Sequence, residues 1–246
     1  FFFHPHPANP DPLWSRGLGD VYKRQVCVYY GTKYSLDYVQ VLYNMVQRHL
    51  TIPHKFICFS DHVKPQKILK GDIEFRKFRF HDYDGWWNKM QLFREESDLK
   101  GPCLYMDLDV VLLDNINDLA TFGDDMTFGV INDFNIATKE YNSSIMKFNN
   151  EVATDLVWKP FLQDKTNLMK LQGDQNAMSK LVKGSQYLKV MPDEWSYSYK
   201  WFSRQDPRFD KSKWTFEKKD KAKVAVFHGR PLPHDSDQDW VKKEWN

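Results

Sequence analysis

Two hydrophobic periods alternate along the first part of the chain. Val26 to Tyr30 is a short apolar run that Gly31 stops, which is the pattern of a buried strand. Ser35 is a candidate helix N-cap, and apolar residues then recur at the spacing of an amphipathic helix until Pro53. That predicted stripe consists of Val39, Leu42, Tyr43, Val46 and Leu50. His54 to Ser60 predicts a second strand.

The same alternation continues toward the middle of the chain. Residues 72–80 alternate apolar and charged side chains and predict a third strand. Gly85 opens a predicted helix that ends before Gly101 and Pro102. The core-facing residues of that helix are expected to include Trp86, Met90 and Phe93, and Trp87 is also expected in the core. The next apolar run, CLYMDLDVVLL, predicts a strand that carries two aspartates.

Strands and helices follow one another less regularly in the second half. Strands are predicted over residues 127–131, 145–148 and 224–228, and helices over residues 150–158 and 174–182. Apolar strands alternating with helices indicate an α/β fold with a largely parallel sheet. No linker divides residues 26–246, so a single domain is expected there.

Composition narrows the possible partners. The 35 basic and 33 acidic residues nearly balance, which argues against binding of bulk nucleic acid or an anionic membrane surface. The chain contains no apolar run long enough for a membrane span. Its three cysteines, Cys27, Cys58 and Cys103, lie in apolar runs and are predicted to be buried, reduced strand residues. Reduced cysteines favour a cytoplasmic location.

The first 25 residues differ from the rest in pattern. They contain many prolines and glycines, show no hydrophobic periodicity, and lack the charged start and apolar middle of a secretory signal. The run DVYKRQ at positions 20–25 resembles the translation of a transposon end used to prepare sequencing libraries. Residues 1–25 are therefore expected to be a cloning or sequencing scar, or a tail, that contributes nothing to the fold.

Asp107 and Asp109 supply the strongest chemical signal. Alternate residues of a strand share a face, so both carboxylates should point one way while Leu108 enters the core. Two unpaired carboxylates on an apolar strand are costly to bury, and a divalent cation would neutralise them. Carboxylate oxygens suit Mg²⁺ or Mn²⁺. Ligands of open α/β sheets bind at the carboxyl ends of strands, where this pair is expected.

The run LYMDLDVVLLDNINDL resembles the metal-binding strand of GT-A-fold glycosyltransferases, most closely the glycosyltransferase family 8 or glycogenin-like group. Further motifs occur in the family's order from Val26 to about Asp235: YYGTKY, GWWNKMQLF, YNSSIMKFN, GDQNAM and VFHGRPLPH. The resemblance implies a GT-A, Rossmann-like α/β domain with a mostly parallel central sheet flanked by helices. It also implies a hexosyltransferase that moves a sugar from a nucleotide diphosphosugar, a UDP-sugar, to an unidentified acceptor hydroxyl, with retention of configuration.

The resemblance also implies nucleotide contacts near the start of the domain. A tyrosine packs on the base in the family, and Tyr34 matches it, with Tyr30 and Thr32 lining the same loop. Lys89, in GWWNKMQLF, matches a basic residue directed toward the nucleotide sugar.

The motif near the C-terminus resembles a segment whose histidine is a third metal ligand. By this match His228 joins Asp107 and Asp109 on Mn²⁺ or Mg²⁺, and Gly229 and Arg230 contact the nucleotide. The motif is compressed relative to the family's His-Gly-x-x-Lys-Pro, because an Arg-Pro pair directly follows the glycine. An arginine there can still bind a diphosphate through two hydrogen bonds.

The residues implied to hold the donor sugar lie in two motifs. Asn142 matches an asparagine that faces the sugar, and Asp174 and Gln175 match an Asp-Gln pair at a helix start. Asp174 is also in a position to cap that helix. Ser144 stands where the family usually has glycine, which narrows the expected sugar pocket.

Two other functions remain open at this point. A sugar nucleotidyltransferase would also place a metal-bound aspartate on an α/β sheet, but it would usually carry a glycine-rich, basic phosphate loop, whereas this loop is GTKYS. A catalytically decayed nucleotide- or carbohydrate-binding module is the alternative that is not an enzyme.

Overall fold

The computed structural model describes residues 23–62, 69–200 and 219–246. Within these ranges the chain forms ten strands: β1 Lys23–Tyr29, β2 His54–Ser60, β3 Ile73–Lys77, β4 Pro102–Met106, β5 Val110–Leu112, β6 Phe128–Asn132, β7 Tyr141–Asn149, β8 Leu188–Val190, β9 Ser196–Ser198 and β10 Val224–Val226. The α-helices of the same ranges are α1 Asp37–His49, α2 Asn117–Ala120, α3 Asn150–Ala153, α4 Lys159–Gln163, α5 Lys165–Leu168, α6 Asp174–Val182 and α7 Asp239–Glu244.

Tighter and wider helical turns connect several of these elements. A π-helical turn, Thr154–Trp158, joins α3 to α4 and makes one continuous helical segment of them. The 3₁₀ turns of the described ranges are Gly85–Phe93, Glu95–Ser97, Ile136–Thr138, Asp193–Trp195 and Pro233–Asp235.

The described strands form two sheets. The larger has seven strands in the order β3-β2-β1-β4-β7-β6-β8, and the smaller has three in the order β5-β10-β9. Strands β3, β2, β1 and β4 are mutually parallel, whereas β7 runs antiparallel to both β4 and β6. The expected α/β architecture, a mostly parallel central sheet with flanking helices, is confirmed. The sequence pattern did not predict the smaller sheet.

Both faces of the large sheet are buried. Alternate residues of a strand enter opposite cores, so Cys27 packs with α1 and the small sheet, whereas Val26 packs with the helical segment of residues 150–163. No helix in the described ranges is long and apolar enough to cross a membrane. The three cysteines are free and buried, as predicted.

Strand β1 begins three residues before its predicted start. Lys23, Arg24 and Gln25 pair with β2, and Gln25 is fully buried. The expectation that residues 1–25 contribute nothing to the fold is therefore wrong for these three residues. Strand pairing uses main-chain hydrogen bonds, which do not depend on the side chains. Residues 1–22 lie outside the described ranges.

The segment Gly85–Phe93 buries a different tryptophan from the one expected on its inner face. Trp87 is buried, with Met90 and Phe93, whereas Trp86 is 57% exposed. The expectation that Trp86 belongs to the core was wrong. The 3₁₀ winding changes the angular spacing of side chains from that of the α-helix on which the expectation rested.

We expect Gln25→Leu to stabilise the protein. Gln25 is fully buried, and its Oε1 atom accepts no hydrogen bond from any described residue. An unsatisfied buried polar atom costs about 1–3 kcal/mol, so removing it should raise the melting temperature by roughly 2–12 °C for a chain of this size. Thermal unfolding followed by circular dichroism measures the change. Gln163→Leu, at an exposed helical position, is the control; an equal rise in both variants would contradict the explanation.

Candidate active site

The two aspartates lie in a turn between the two sheets. β4 ends at Met106 and β5 begins at Val110, so Asp107 to Asp109 link the large sheet to the small one. The prediction of one continuous strand was wrong, because this segment is shared between the sheets. The amide of Asp107 donates to the Ser144 carbonyl at 2.9 Å, and the carbonyl of Asp109 accepts from the Phe227 amide at 2.9 Å. Leu108 enters the core, as expected.

Burial and mutual repulsion act on the Asp109 carboxyl. Its residue is 7% exposed, and burial followed by the charge of Asp107 raises its pKa to about 6. The Tyr34 hydroxyl donates to Asp109 Oδ2 at 2.7 Å and opposes this rise. A cation bound beside this carboxyl would lower its pKa and favour the ionised form.

Asp107 is stabilised as a carboxylate. Burial would raise its pKa, but the Lys89 ammonium, 3.0 Å from Asp107 Oδ1, together with hydrogen bonds to the carboxylate outweighs burial and keeps the pKa below its ordinary value. The Tyr105 hydroxyl donates to the same oxygen at 2.5 Å, and the Ser144 hydroxyl also bonds to this carboxylate. The two aspartates therefore differ electrostatically: Asp107 is paired with Lys89 at 3.0 Å, whereas Lys33 acts on Asp109 as a nearby charge.

Lys89 connects the candidate metal ligand Asp107 to the candidate sugar ligand Asp174. Its Nζ lies 3.0 Å from Asp107 Oδ1 and 2.9 Å from Asp174 Oδ2, and it also donates to the Ser143 hydroxyl at 3.1 Å. The residue is 5% exposed. Burial disfavours its ammonium form, but the two carboxylates outweigh burial and raise its pKa. The structure thus places Lys89 between a candidate metal ligand and a candidate sugar ligand.

The candidate sugar ligands lie together beside Lys89. Asp174 is the first residue of α6, and its Oδ2 accepts from the Ser143 hydroxyl at 2.8 Å rather than capping the helix. Asn142 Nδ2 donates to Gln175 Oε1 at 3.0 Å. The amide of Ser144 donates to Asn142 Oδ1 at 2.9 Å, which orients that side chain. Strand β7 and the start of α6 therefore form one polar surface.

The loop after β1 carries the candidate nucleotide residues. The Gly31 amide donates to the carboxylate of Asp61, which follows β2, so the loop lies at the carboxyl ends of the parallel strands. The Tyr30 hydroxyl donates to Asp84 at 3.3 Å, and Thr32 is exposed. The ring of Tyr34 is tilted against Tyr38, with 4.7 Å between centroids.

The C-terminal candidates lie beyond β10. His228 Nε2 is 2.6 Å from Ser198 Oγ, and its ring stacks on Phe134. Arg230 Nη1 lies 3.2 Å from Asp235 Oδ2 on the surface. Gly229 adopts a φ of +76°, and a Cβ there would lie 3.4 Å from Lys200 Nζ. A larger residue at this position would be strained by its backbone conformation.

Solved structures of three glycosyltransferase chains are similar to this one. GlyE of Streptococcus pneumoniae TIGR4 superposes with a TM-score of 0.64 at 11% identity, over 91% of this chain and 63% of GlyE. An active-site mutant of LgtC gives 0.64 at 14% identity, over 89% of this chain and 93% of its own. The galactosyltransferase LgtC, in complex with donor and acceptor sugar analogs, gives 0.61 at 14% identity, over 85% and 88%. The chain has the GT-A fold.

The GT-A fold is what these similarities establish. No protein-family model and no curated protein sequence matches the chain. The chain spans about 63% of the length of GlyE. The GT-A fold expected from the sequence resemblance is confirmed, while the donor, the metal and the roles of individual residues remain predictions.

The residues of the turn between β4 and β5, 107–109, fit a divalent cation only in part. GT-A glycosyltransferases commonly use such a metal, and a cation bound by Asp107 and Asp109 would lower the pKa of Asp109, which burial and the charge of Asp107 raise. In the described ranges, however, no three histidine, cysteine or acidic side chains are grouped as metal ligands. His228 would have to exchange its Ser198 contact to become the third ligand.

Sequence reasoning missed two groups in this GT-A site. Tyr105 reads as a core residue, yet its hydroxyl bonds Asp107; the two residues lie two positions apart, which would place them on one strand face. Ser143 bonds both Lys89 and Asp174, and no sequence signal identifies it.

Proposed function

We propose that the protein is a metal-dependent glycosyltransferase that moves a hexose from a UDP-sugar to an acceptor hydroxyl with retention of configuration. The observation that carries the proposal is the network in which the buried Lys89 joins Asp107 to the buried Asp174, next to the buried Asp109. Lys89 pairs with both Asp107 and Asp174, whereas burial and the charge of Asp107 disfavour the ionised form of Asp109, which a cation bound at this carboxyl edge of the sheet would stabilise. The GT-A fold and the sequence resemblance supply the reaction class.

In this proposal the chain's own residues bind and orient the donor. Tyr34 packs against the base, and Tyr30, Thr32 and Gly229 line the nucleotide. Asp107 and Asp109, with His228, would hold a Mn²⁺ or Mg²⁺ ion, which offsets charge on the leaving diphosphate. Arg230, an exposed cation whose Nη1 lies 3.2 Å from Asp235 Oδ2, would contact the diphosphate.

The residues around Asp174 orient the donor sugar. Asn142, Asp174 and Gln175 hydrogen-bond its hydroxyls, and Lys89, whose Nζ lies 2.9 Å from Asp174 Oδ2, fixes the position of that carboxylate. The acceptor oxygen bonds the anomeric carbon as that carbon's bond to the diphosphate oxygen breaks. The nucleoside diphosphate leaves with the electron pair, and the acceptor proton passes to its phosphate oxygen.

We expect UDP to raise the melting temperature only when Mn²⁺ is present. A ligand at about 100 times its dissociation constant adds roughly 2.7 kcal/mol, which is about 5–10 °C for a chain of this size. Thermal unfolding with UDP, GDP, CDP or ADP, each with Mn²⁺ or a chelator, measures the effect. A shift with UDP and Mn²⁺ that Asp109→Ala abolishes supports the proposal, and no shift with any diphosphate contradicts it.

The alternative functions give other results. Release of pyrophosphate from a nucleoside triphosphate and a sugar phosphate would identify a nucleotidyltransferase. Binding of UDP and Mn²⁺ without turnover of any UDP-sugar in a donor panel would identify a binding module.

A further inference from the structure

A cavity of about 600 Å³ lies beside the network that Lys89 forms with Asp107 and Asp174. It shares Asp174 and Gln175 with the candidate sugar site, and its wall continues through Trp86, Asp133 and Glu140. Nothing in the donor scheme uses these last three residues. The cavity is large enough for a monosaccharide or the end of a glycan.

Trp86 forms an exposed aromatic wall of this cavity. The side chain lies against the residue before α6: a Cβ on Gly173 would be 3.4 Å from Trp86 Nε1 and 3.6 Å from Cε2. Yet Trp86 remains 57% exposed while its neighbour Trp87 is buried. An indole supplies both an apolar surface and a hydrogen-bond donor, and it loses little conformational entropy when a ligand binds. Those properties suit the apolar face of a sugar ring.

Two carboxylates, of Asp133 and Glu140, form another part of the wall. The loop between β6 and β7 closes on itself, because the Asp133 amide donates to the Glu140 carbonyl at 3.0 Å. Thr138 Oγ1 donates to Asp133 Oδ2 at 2.9 Å, and Asn176 Nδ2 donates to Glu140 Oε2 at 2.7 Å. These contacts fix the carboxylates and use one oxygen of each.

The charge of the cavity is therefore negative. Asp174 is compensated by Lys89 at 2.9 Å, but no lysine, arginine or histidine is among the described residues that line the cavity. Asp133 and Glu140 would repel a carboxylate or phosphate on a ligand, whereas hydroxyl and ammonium groups can donate to them.

We propose that this cavity is the acceptor subsite, and that it takes a sugar without negative charge, uncharged or amine-bearing, whose ring stacks on Trp86. The inference rests on the proposed function, which places the donor sugar at Asp174 and Gln175. It adds the chemical class of the acceptor and a specificity residue, Glu140.

The test is sugar binding by the full chain with Mn²⁺ and UDP present. The probes are methyl glucoside and methyl galactoside, methyl glucosaminide, which carries an ammonium group, and methyl glucuronide and methyl galacturonide, which carry a carboxylate. Titrations followed by saturation-transfer NMR give dissociation constants. We expect each uronide to bind about tenfold more weakly than the uncharged sugar of the same configuration, with a smaller difference at high salt.

Two variants and one control assign the effect to residues. Trp86→Ala should weaken binding of the uncharged sugars by about tenfold, whereas Met126→Ala, which removes an exposed apolar side chain outside the cavity, should not. Glu140→Gln keeps the shape of the side chain and should narrow the difference between uronide and uncharged sugar.

Three results would overturn the inference. They are no binding of any uncharged or amine-bearing probe at about 50 mM, well above the millimolar constants of weak sites; unchanged binding in Trp86→Ala; or uronides that bind as well as uncharged sugars. The UDP-dependent melting shift, recorded on the same samples, separates the two hypotheses. UDP binding without sugar binding rejects the subsite alone, and Trp86-dependent sugar binding without UDP binding rejects the donor site alone.

Discussion

Asp109→Ala should lower UDP-sugar turnover by about 100- to 1000-fold, the cost of removing one preorganised electrostatic group from an active site. The Asp109 carboxyl is buried, its pKa is raised by burial and by Asp107, and the Tyr34 hydroxyl donates a hydrogen bond to it. In the proposal it helps hold the cation that offsets charge on the leaving diphosphate. Release of UDP from a panel of UDP-sugars, with saturating Mn²⁺, measures the turnover.

The matched control is Asp114→Ala. Asp114 lies in the same sequence motif but is exposed and accepts from the adjacent Asn115 amide. Its removal should leave turnover within about twofold, because Asp114 has no role in the proposed binding of donor or metal and an exposed substitution rarely perturbs the fold. Equal turnover in Asp109→Ala and the wild type would show that this turn is not the metal site. Asp109→Ala should also be at least as stable as the wild type without metal, since it removes a buried carboxyl that burial and Asp107 both disfavour.

The local pattern of apolar and polar residues predicted the elements that bury the same kind of face along their whole length. The bounds of β2 and α6 agree with the predicted ones, because an apolar run or a helical stripe with clear breakers specifies each. The same pattern gave a wrong prediction where one continuous segment contributes strands to two different sheets. The run containing Asp107 and Asp109 reads as one strand, yet it splits into β4 and β5 because β10 pairs with its second half. That pairing joins residues more than a hundred positions apart, so no window of sequence contains it.

The sequence predicted which residues belong to the candidate site better than it predicted how those residues are arranged. The family motifs identified Asn142, Asp174 and Gln175, and the structure brings them together. The position of Lys89 between two carboxylates depends on how residues 85–93 pack across β7, which is a tertiary property. The exposure of Trp86 depends likewise on 3₁₀ winding, which the spacing of apolar residues does not reveal.

Lys89→Met should destabilise the protein strongly in the absence of metal. The ammonium is 5% exposed and lies within 3.0 Å of carboxylate oxygens of both Asp107 and Asp174. Methionine fills similar volume but leaves both carboxylates without their cation. Breaking a buried ion pair in this way costs about 3–5 kcal/mol, or roughly 6–20 °C in melting temperature for a chain of this size. Urea and thermal unfolding in the presence of a chelator measure the loss.

The contribution of burial can be separated from that of charge. Lys159→Met removes an exposed lysine paired with Asp155, and it should leave the melting temperature nearly unchanged because solvent screens that pair. Adding Asp174→Asn to Lys89→Met should recover part of the loss, since one of the two stranded carboxylates is then neutral. If Lys89→Met unfolds no more easily than Lys159→Met, the lysine bridge does not hold the two halves of the site together. The assignment of Asp174 as a residue fixed for sugar binding would then lose its physical basis.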